Sequence, residues 1–518
     1  MIILLHLIFT STRFKQVFAR GYFAILFFNM VTLYWISGWE GNDIFLKIGG
    51  IATVLVHPLF FLLPILLTYF IYKIFNKGIA LSLFPLFWTG FEYSHNLGQL
   101  AFPWIELGNT ETYNLNRIQY IDYFGVHGTT FLICVISILL YYLILKLSYR
   151  EWKMTQLPPG AFIFIIIILL FGPNVYSYFY LQKNMNSSIY FSESDTTKVV
   201  RSAIIQTNVD PFNKWSGNPD QIVNSYMSQL DSSLTYNPYL IVVHETAVPY
   251  YFFEQTYFYN TVKFLDFVNM NRKYLLMGIP YLQYYNDSSN APKDSKISSI
   301  THRRYKTYNS AILIEPDKNK NEYQIHEKAK LVPFSENVPY SNAFPFLSKW
   351  IRWGVGISSW NAGDSLLVFK LNDQLYHKNL HFVTLVCFES VFSDYVSEGV
   401  KNGAEFLVII TNDGWFGKSS GPIQHQQFAI LRAIENRKWI IRAAQTGISC
   451  FIDPLGNTYN KLHIDTKGII VKNIIANDEK TFYSLHGDMI GWTGYYIGII
   501  SFPLGLIIYI LKRRKSSS

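Results

Sequence analysis

Hydrophobic positions follow two patterns along this chain. Near residues 21–38, 48–72, 79–95, 125–147, 161–181 and 490–511 they form long, nearly uninterrupted runs, and about 20 apolar residues is what a helix needs to cross a bilayer. Six spans are therefore expected, about five in a bundle over residues 1–185 and one over 490–511. Between 195 and 486 the runs shorten to strand length and become rich in β-branched and aromatic residues: Ala203–Gln206, Leu240–Val243, Tyr274–Gly278, Ala311–Ile314, Val383–Val386, Phe406–Ile410 and Ile440–Ala444. Polar helical stretches separate them, which predicts buried sheets covered by helices, an α/β unit. Ala429, Leu431, Ala433 and Ile434 recur among polar residues and predict a helix over 423–438. The polar stretch 284–308 reads as a surface loop. Glu92 lies in the weakest apolar run, and an intramembrane carboxylate normally faces a bundle interior. It is read as a structural contact and left out of the site.

Charge orients these elements. Arg13, Lys15 and Arg20 precede the first run, Lys73 and Lys77 follow the second, and Lys146, Arg150 and Lys153 follow the fourth. Residues 512–518 form a basic tail with Lys512, Arg513, Arg514 and Lys515. Positive loops stay cytoplasmic, so 39–47, 96–124 and the whole segment 182–489 are expected on the outer face. A chain of 518 residues that is 50% hydrophobic and only 15% charged is too apolar for a soluble protein. Its net charge of +9 reflects clusters beside apolar runs and not a nucleic-acid surface. The apolar Met1–Thr10 is too short to span and lacks the basic start and cleavage site of a signal peptide, so it reads as the end of an earlier span.

Three polar groups stand out against the apolar strands. His244-Glu245-Thr246 directly follows the run Tyr239–Val243, which puts the Glu245 carboxylate at the carboxyl end where open α/β sheets place ligands. Cys387 follows another run, with Glu389 two residues on. Lys328 and Lys330 open a segment in which Pro333 and Pro339 bracket Glu336 without helical or strand periodicity, the mark of a shaped loop. Alone, each has a plainer reading: a surface carboxylate, an inert core thiol, a solvated lysine pair. Trp215, Trp415 and Phe416 are candidate apolar walls for a lipid, with core packing as the alternative. His244, His326, His381 and His425 show no paired ligand spacing, so no metal is expected, and no motif implies a cofactor. The three cysteines, Cys134, Cys387 and Cys450, form no disulfide framework.

In this order, Glu245, then Lys328 with Leu331-Val332-Pro333-Phe334-Ser335-Glu336, then Cys387-Phe388-Glu389 resemble the Glu-Lys-Cys triad of the nitrilase, or carbon-nitrogen hydrolase, superfamily. Thr411-Asn412-Asp413-Gly414-Trp415-Phe416-Gly417, followed by Gln424-His425 and by Arg432 through Arg437, is similar to one membrane branch, the apolipoprotein N-acyltransferases. So are the loop Phe102 through Asn109 and the stretch from Gln206-Thr207-Asn208 to Trp215. The resemblance implies a periplasmic α-β-β-α sandwich on a helical bundle in the bacterial inner membrane. It also implies transfer of an acyl chain from a phospholipid donor to the N-terminal amine of a diacylglyceryl-modified apolipoprotein. Lys328 is favoured over Lys330 because the family's lysine lies eight residues before the Glu, here Glu336. Phe388 stands where the family usually carries a tyrosine, and the amino-terminal helices look fewer than the family's, which favours a truncated start.

Ester-to-amine acyl transfer explains the residue types. A thiolate is both nucleophile and leaving group, so Cys387 is expected to carry a thioester. Glu245 is the expected general base and acid, and Lys328 the cation at the oxyanion. Glu336 and Glu389 are expected to hold Lys328 and its loop. Two rivals share the same residues: a membrane-tethered amidase or nitrilase acting on a small amide with water, and a catalytically dead scaffold.

Overall fold

In a computed structural model, residues 1–37, 44–149, 158–285, 291–292, 294–299, 301–341, 343–344 and 360–517 are described. The chain divides into two compact units, one formed by Met1–Ser37, Gly49–Lys183 and His486–Ser518, the other chiefly by Asn184–Leu485.

The first unit is helical. Its apolar runs form helices Phe14–Thr32, Pro58–Ile74, Lys77–His95, Ile121–Tyr149, Pro159–Asn184 and Met489–Ser517. The run 48–72 is divided at His57, with Pro58 starting a new helix because it has no N–H to continue the previous ladder. Among the described residues, four helices are long and apolar enough to cross a membrane: Lys47–Ile74, Ile121–Ser148, Gly160–Asn184 and Met489–Lys515. Met1–Thr10 contributes a short helix, Ile2–Phe9. The last helix leaves Ile499, Ile500, Phe502, Leu504 and Ile507 exposed, an apolar surface suited to lipid and not to water.

Glu92 is buried as expected and fully engaged. It accepts from Trp88 Nε1 at 2.9 Å, the Leu107 N–H at 3.0 Å and Thr130 Oγ1 at 2.7 Å. It thus ties its own helix to the 107 loop and to helix Ile121–Tyr149, satisfying a group that would be costly in hydrocarbon. Close packing depends on small residues. A Cβ on Gly90 would lie 2.1 Å from the carbonyl carbon of Gly494, so helices Lys77–His95 and Met489–Ser517 approach backbone to backbone.

The second unit is a four-layer sandwich. The first sheet runs β13-β1-β2-β3-β5-β4, with β6 also on β5; the second runs β12-β11-β10-β9-β8-β7. Their strands are β1 Val199–Gln206, β2 Leu240–Val243, β3 Tyr274–Tyr285, β4 Lys296–Ile297, β5 Arg304–Ile314, β6 Gln324–Glu327, β7 Val368–Asp373, β8 Lys378–Val386, β9 Phe406–Thr411, β10 Ile440–Ala444, β11 Ser449–Ile452, β12 Thr458–Leu462 and β13 Gly468–Ile475. Each sheet holds three parallel strands, β1-β2-β3 and β8-β9-β10, flanked by antiparallel ones.

Period-2 alternation sorts the side chains. Val200, Ile204, Leu240, Val242 and Leu276 point inward and pack with Phe369, Phe382, Phe406, Val408, Ile410 and Ile441 of the second sheet. Ala203, Ile205, Ile241, Val243 and Met277 point outward against helices Pro219–Ser233 and Phe258–Asn271. Helices Ser393–Lys401 and Ser420–Asn436 cover the second sheet. With both faces covered, the parallel strands read as continuous apolar runs, which is why they were legible. All seven expected strands and the helix around 423–438 lie on these elements.

The stretch 284–308 is a correction. Instead of a surface loop, its ends pair as a ribbon, Tyr284 opposite Tyr305 and Tyr285 opposite Arg304, with β4 beside them; residues 286–290, 293 and 300 lie outside the described residues. An antiparallel edge can carry polar residues on a solvated face, so polarity alone misled.

Overpacking at a backbone contact typically costs about 1–3 kcal/mol. Gly90→Ala is therefore expected to lower the apparent melting temperature of the detergent-solubilised protein. Gly498→Ala, where an added Cβ meets nothing within 4 Å, leaves it unchanged. Equal melting temperatures for the two variants would refute the tight Gly90–Gly494 crossing.

Candidate active site

Strand ends bring the separated motifs together. β2 delivers His244 and Glu245, β6 runs directly into Lys328, β8 into Cys387 and β9 into Asn412. Glu245, Lys328, Glu336 and Glu389 are all buried and Cys387 is half-buried. Buried charges persist only when paired or hydrogen-bonded, and here they are.

Lys328 Nζ, 1% exposed as a side chain, donates to Glu245 Oε1 at 3.2 Å and to Glu336 Oε1 at 2.9 Å. Asn309, on β5, joins the same two carboxylates, donating to Glu245 at 2.7 Å and to Glu336 at 3.1 Å. The Asn412 N–H gives Glu245 Oε2 a third donor at 3.0 Å, and the Val332 N–H binds Glu336 at 2.8 Å. Burial pulls the ammonium toward neutrality, but Glu245 and Glu336 outweigh it and raise its pKa above the ordinary lysine value. Lys330 instead lies over the rings of Phe392 and Tyr395.

Cys387 opens a 3₁₀ helix, Cys387–Val391, with φ 54°, an uncommon conformation for a residue with a Cβ. Burial and then the Glu245 charge push its thiol pKa up, while Lys328 and a hydrogen bond with Thr411 oppose them. The resting group is thus a thiol in the field of a carboxylate and an ammonium.

Glu389 meets the lysine loop through the loop's backbone. It does not reach the Lys328 ammonium; its oxygens accept from the N–H groups of Ala329 (2.7 Å) and Val386 (2.8 Å), from Tyr395 Oη (3.0 Å) and from His326 Nε2 (3.0 Å). Although burial pushes its pKa up, His326 and these backbone donors hold it below the usual carboxylate value. It clamps the lysine loop to the nucleophile turn by their backbones. Phe388 is buried and packs edge-on against Phe392 at 5.1 Å. Trp415 and Phe416 are half-buried on the turn Asp413–Phe416, and Trp215 is 36% exposed after helix Pro211–Lys214.

Several residues here escaped sequence reasoning. Asn309 lies mid-strand beside other polar residues, Thr307 and Ser310, from which nothing in the sequence separates it, and His326 is hidden by the strand before Lys328. His425 Nδ1 bonds Asp413 Oδ1 at 2.7 Å, and Asp413 also accepts from Arg442 Nη2 at 2.8 Å. Sequence spacing suggested no pairing of these histidines with Cys or carboxylate, yet Cys387, Asp413 and His425 each offer a donor atom within 4.8 Å of the others. The Asp413 carboxylate is already engaged by Arg442, His425 and Thr411.

Lys214 was also missed. Fully buried, it donates to the Thr246 carbonyl at 2.5 Å, Thr246 Oγ1 at 3.1 Å and Gln445 Oε1 at 3.0 Å. Thr246 has φ 42°, strained for a β-branched residue. The turn also presses on Gly278, where a Cβ would meet Glu245 Cα at 2.5 Å. His244 Nδ1 donates to the Glu245 carbonyl at 2.9 Å while its Nε2 faces the Thr207 and Tyr226 hydroxyls at 2.9 and 2.8 Å; burial first, then Lys214, lower its pKa to about 3, so the ring is neutral.

Two stacked mixed sheets between helices, with a carboxylate, an ammonium and a thiol gathered at their strand ends, define a nitrilase-type fold and site. The chain belongs to the carbon-nitrogen hydrolase family, whose profile, Carbon-nitrogen hydrolase, matches residues 201–481, more than half of it. A second profile, Apolipoprotein N-acyltransferase N-terminal domain, matches residues 1–139. The chain is 29% identical over 484 residues to the Apolipoprotein N-acyltransferase of Chlorobaculum tepidum, covering 92% of this chain and 85% of that one. It is 28% identical over 487 residues to that of Geobacter metallireducens, with the same coverages. The crystal structure of Saccharomyces cerevisiae Nit3, a member of the nitrilase superfamily, aligns with 54% of this chain and 90% of its own at 14% identity and a TM-score of 0.38.

Burial lowers the Lys214 pKa to about 7, against the attraction of Glu245. Between about 7 and the ordinary lysine value of about 10.4, the unfolded chain holds a proton that the folded chain lacks, so this group makes stability rise with pH. The gain in apparent melting temperature from pH 7 to pH 9 is expected to be smaller in Lys214→Met than in the wild type. An identical gain in both proteins would show that Lys214 titrates normally.

Proposed function

We propose that this protein is an acyltransferase of lipoprotein maturation, moving a fatty acyl chain from a membrane phospholipid to the N-terminal amine of a diacylglyceryl-cysteine lipoprotein through a thioester on Cys387. The observation that carries this is the buried cluster of Glu245, Lys328 and Glu336 beside a thiol, in a chain whose relatives are named as apolipoprotein N-acyltransferases along nearly its whole length.

In the first half-reaction, Cys387 Sγ attacks the ester carbonyl carbon as its proton passes to Glu245. The carbonyl electron pair moves onto oxygen, where the Lys328 ammonium meets the developing charge. One such donor is worth about 3–4 kcal/mol. Collapse breaks the C–O bond, and the departing alkoxide takes the proton back from Glu245, leaving a lysophospholipid and the thioester. In the second half, the lipoprotein amine attacks the thioester, a C–N bond forms and the C–S bond breaks. The amine proton leaves through Glu245 as the thiol is restored, so ester plus amine becomes amide plus alcohol. Glu336 and Asn309 keep Lys328 and Glu245 in register, and Glu389 fixes the loop. Trp215, Trp415 and Phe416 serve as apolar contacts for the lipid.

Both substrates are bilayer-anchored, which accounts for the apolar helices: a soluble enzyme would have to extract acyl chains at about 0.8 kcal/mol per CH₂. The charge alternation of the loops supports an inner-membrane protein whose five amino-terminal spans and 490–511 helix hold the 195–486 domain on the periplasmic side.

Purified protein in detergent, given a phospholipid alone, is expected to gain the mass of one acyl chain that hydroxylamine removes; Cys387→Ala gains none. Lys328→Met is expected to slow this acylation at least about 100-fold, the scale for losing an oxyanion donor. Absence of any adduct on folded wild type, together with ammonia release from small amides, would replace this reading with the membrane-tethered amidase.

A further inference from the structure

The nucleophile's backbone is held by a second set of side chains. Cys387 has φ 54°, a region that costs a non-glycine residue roughly 1–3 kcal/mol unless its surroundings enforce it. Its carbonyl oxygen accepts from Ser390 Oγ at 2.7 Å and faces His425 Nε2 at 3.2 Å; Ser390 Oγ and His425 Nε2 are themselves 3.1 Å apart. His425 stands on helix Ser420–Asn436, is only 3% exposed, and is held from its other nitrogen by Asp413.

Asp413 is in turn fixed by Arg442, itself fully buried and bonded to the Ile448 carbonyl, and by Thr411 Oγ1 at 2.9 Å. Burial favours the neutral acid, but Arg442 and His425 hold the Asp413 pKa below the ordinary carboxylate value, so it is an anion that only accepts. The Nδ1 of His425 therefore carries a hydrogen, and because the Cys387 carbonyl oxygen also only accepts, the Nε2 that bonds it must carry one too, so in this strut the ring acts as a doubly protonated imidazolium beside the Asp413 carboxylate. The result is a buried strut from β10 through Asp413 and His425 to the Cys387 carbonyl, separate from Glu245, Lys328 and Glu336.

We propose that His425, braced by Asp413, is a positioning residue: it holds the Cys387 main chain in its left-handed conformation and so keeps the thiol aligned with Lys328 while a tetrahedral intermediate forms. Because the peptide is planar, the same grip sets the direction of the N–H that follows Cys387. The inference rests on Cys387 being the acyl carrier. It assigns work to the Gln424-His425 motif and to Asp413 that the triad leaves unexplained.

The test compares two reactions of the same thiol in full-length, detergent-solubilised protein. Acylation by a phospholipid requires Cys387 to be aligned with the oxyanion cation, whereas alkylation by iodoacetamide builds no oxyanion. His425→Ala is expected to slow single-turnover acylation about 10–100-fold, the scale of a small misplacement, with the half-saturating phospholipid concentration unchanged and alkylation within about 3-fold of wild type, as a reaction needing no oxyanion donor. The amide nitrogen of Gln sits where His Nε2 does and that of Asn where Nδ1 does, so His425→Gln restores most of the acylation rate and His425→Asn does not. That pair decides the matter even if the alanine variant fails to fold.

Acylation of His425→Ala and His425→Asn at the wild-type rate overturns the inference while leaving Cys387 as carrier. A parallel loss of acylation and alkylation in both also overturns it, since His425 then acts on the thiol itself or on the fold. If wild type takes up no acyl group, the Cys387 reading fails, and the inference falls with it.

Discussion

A lysine ammonium buried between two carboxylates organises the catalytic unit. Removing Lys328 from water carries a desolvation cost of several kcal/mol, and only close, well-oriented partners return it. Glu245 and Glu336 supply those partners at 3.2 and 2.9 Å, and Asn309 bonds both carboxylates so that neither can drift from the other. Four elements are thereby committed to one point: the end of β2, the middle of β5, the start of the lysine loop and, through the Asn412 N–H on Glu245, the end of β9. Two carboxylates to one ammonium leave one negative charge, the destination that the proposed mechanism gives the thiol proton.

Around that point the protein spends backbone strain and keeps it in place with buried polar struts. Cys387 and Thr246 both have positive φ, and each is gripped through its carbonyl oxygen by a buried nitrogen donor, Lys214 at Thr246 and His425 at Cys387. Glu389 joins the lysine loop to the nucleophile turn through main-chain N–H groups. Many polar side chains near the thiol are thus occupied in holding others, and under the proposed function the thiol, Glu245 and Lys328 meet the acyl group. Such preorganisation is what makes fixed donors worth several kcal/mol at a transition state.

The helical unit follows the same rule in an apolar setting. Glu92 is tolerable because three donors converge on it, and helices Lys77–His95 and Met489–Ser517 meet closely because Gly90 faces Gly494. The large exposed apolar surface of the last helix makes sense only against lipid, where both reactants of the proposed acyl transfer reside.

By itself the sequence determined the fold class, the strands buried on both faces and Glu245 and Cys387 as candidates, because buried parallel strands must be continuously apolar and a polar residue at their ends is conspicuous; Lys328 stood out only through its proline-bracketed loop and the family resemblance. The family resemblance pointed to Lys328 over Lys330, and it is Lys328 whose ammonium lies against Glu245 and Glu336. Tertiary structure alone decided that Glu389 serves backbone amides and not the ammonium, that 284–308 forms a paired ribbon at its ends, and that Asn309, Lys214, Asp413 and His425 surround the site. Those residues come from distant segments, and their roles depend on distances of about 3 Å, set when the two sheets pack and their strand ends converge.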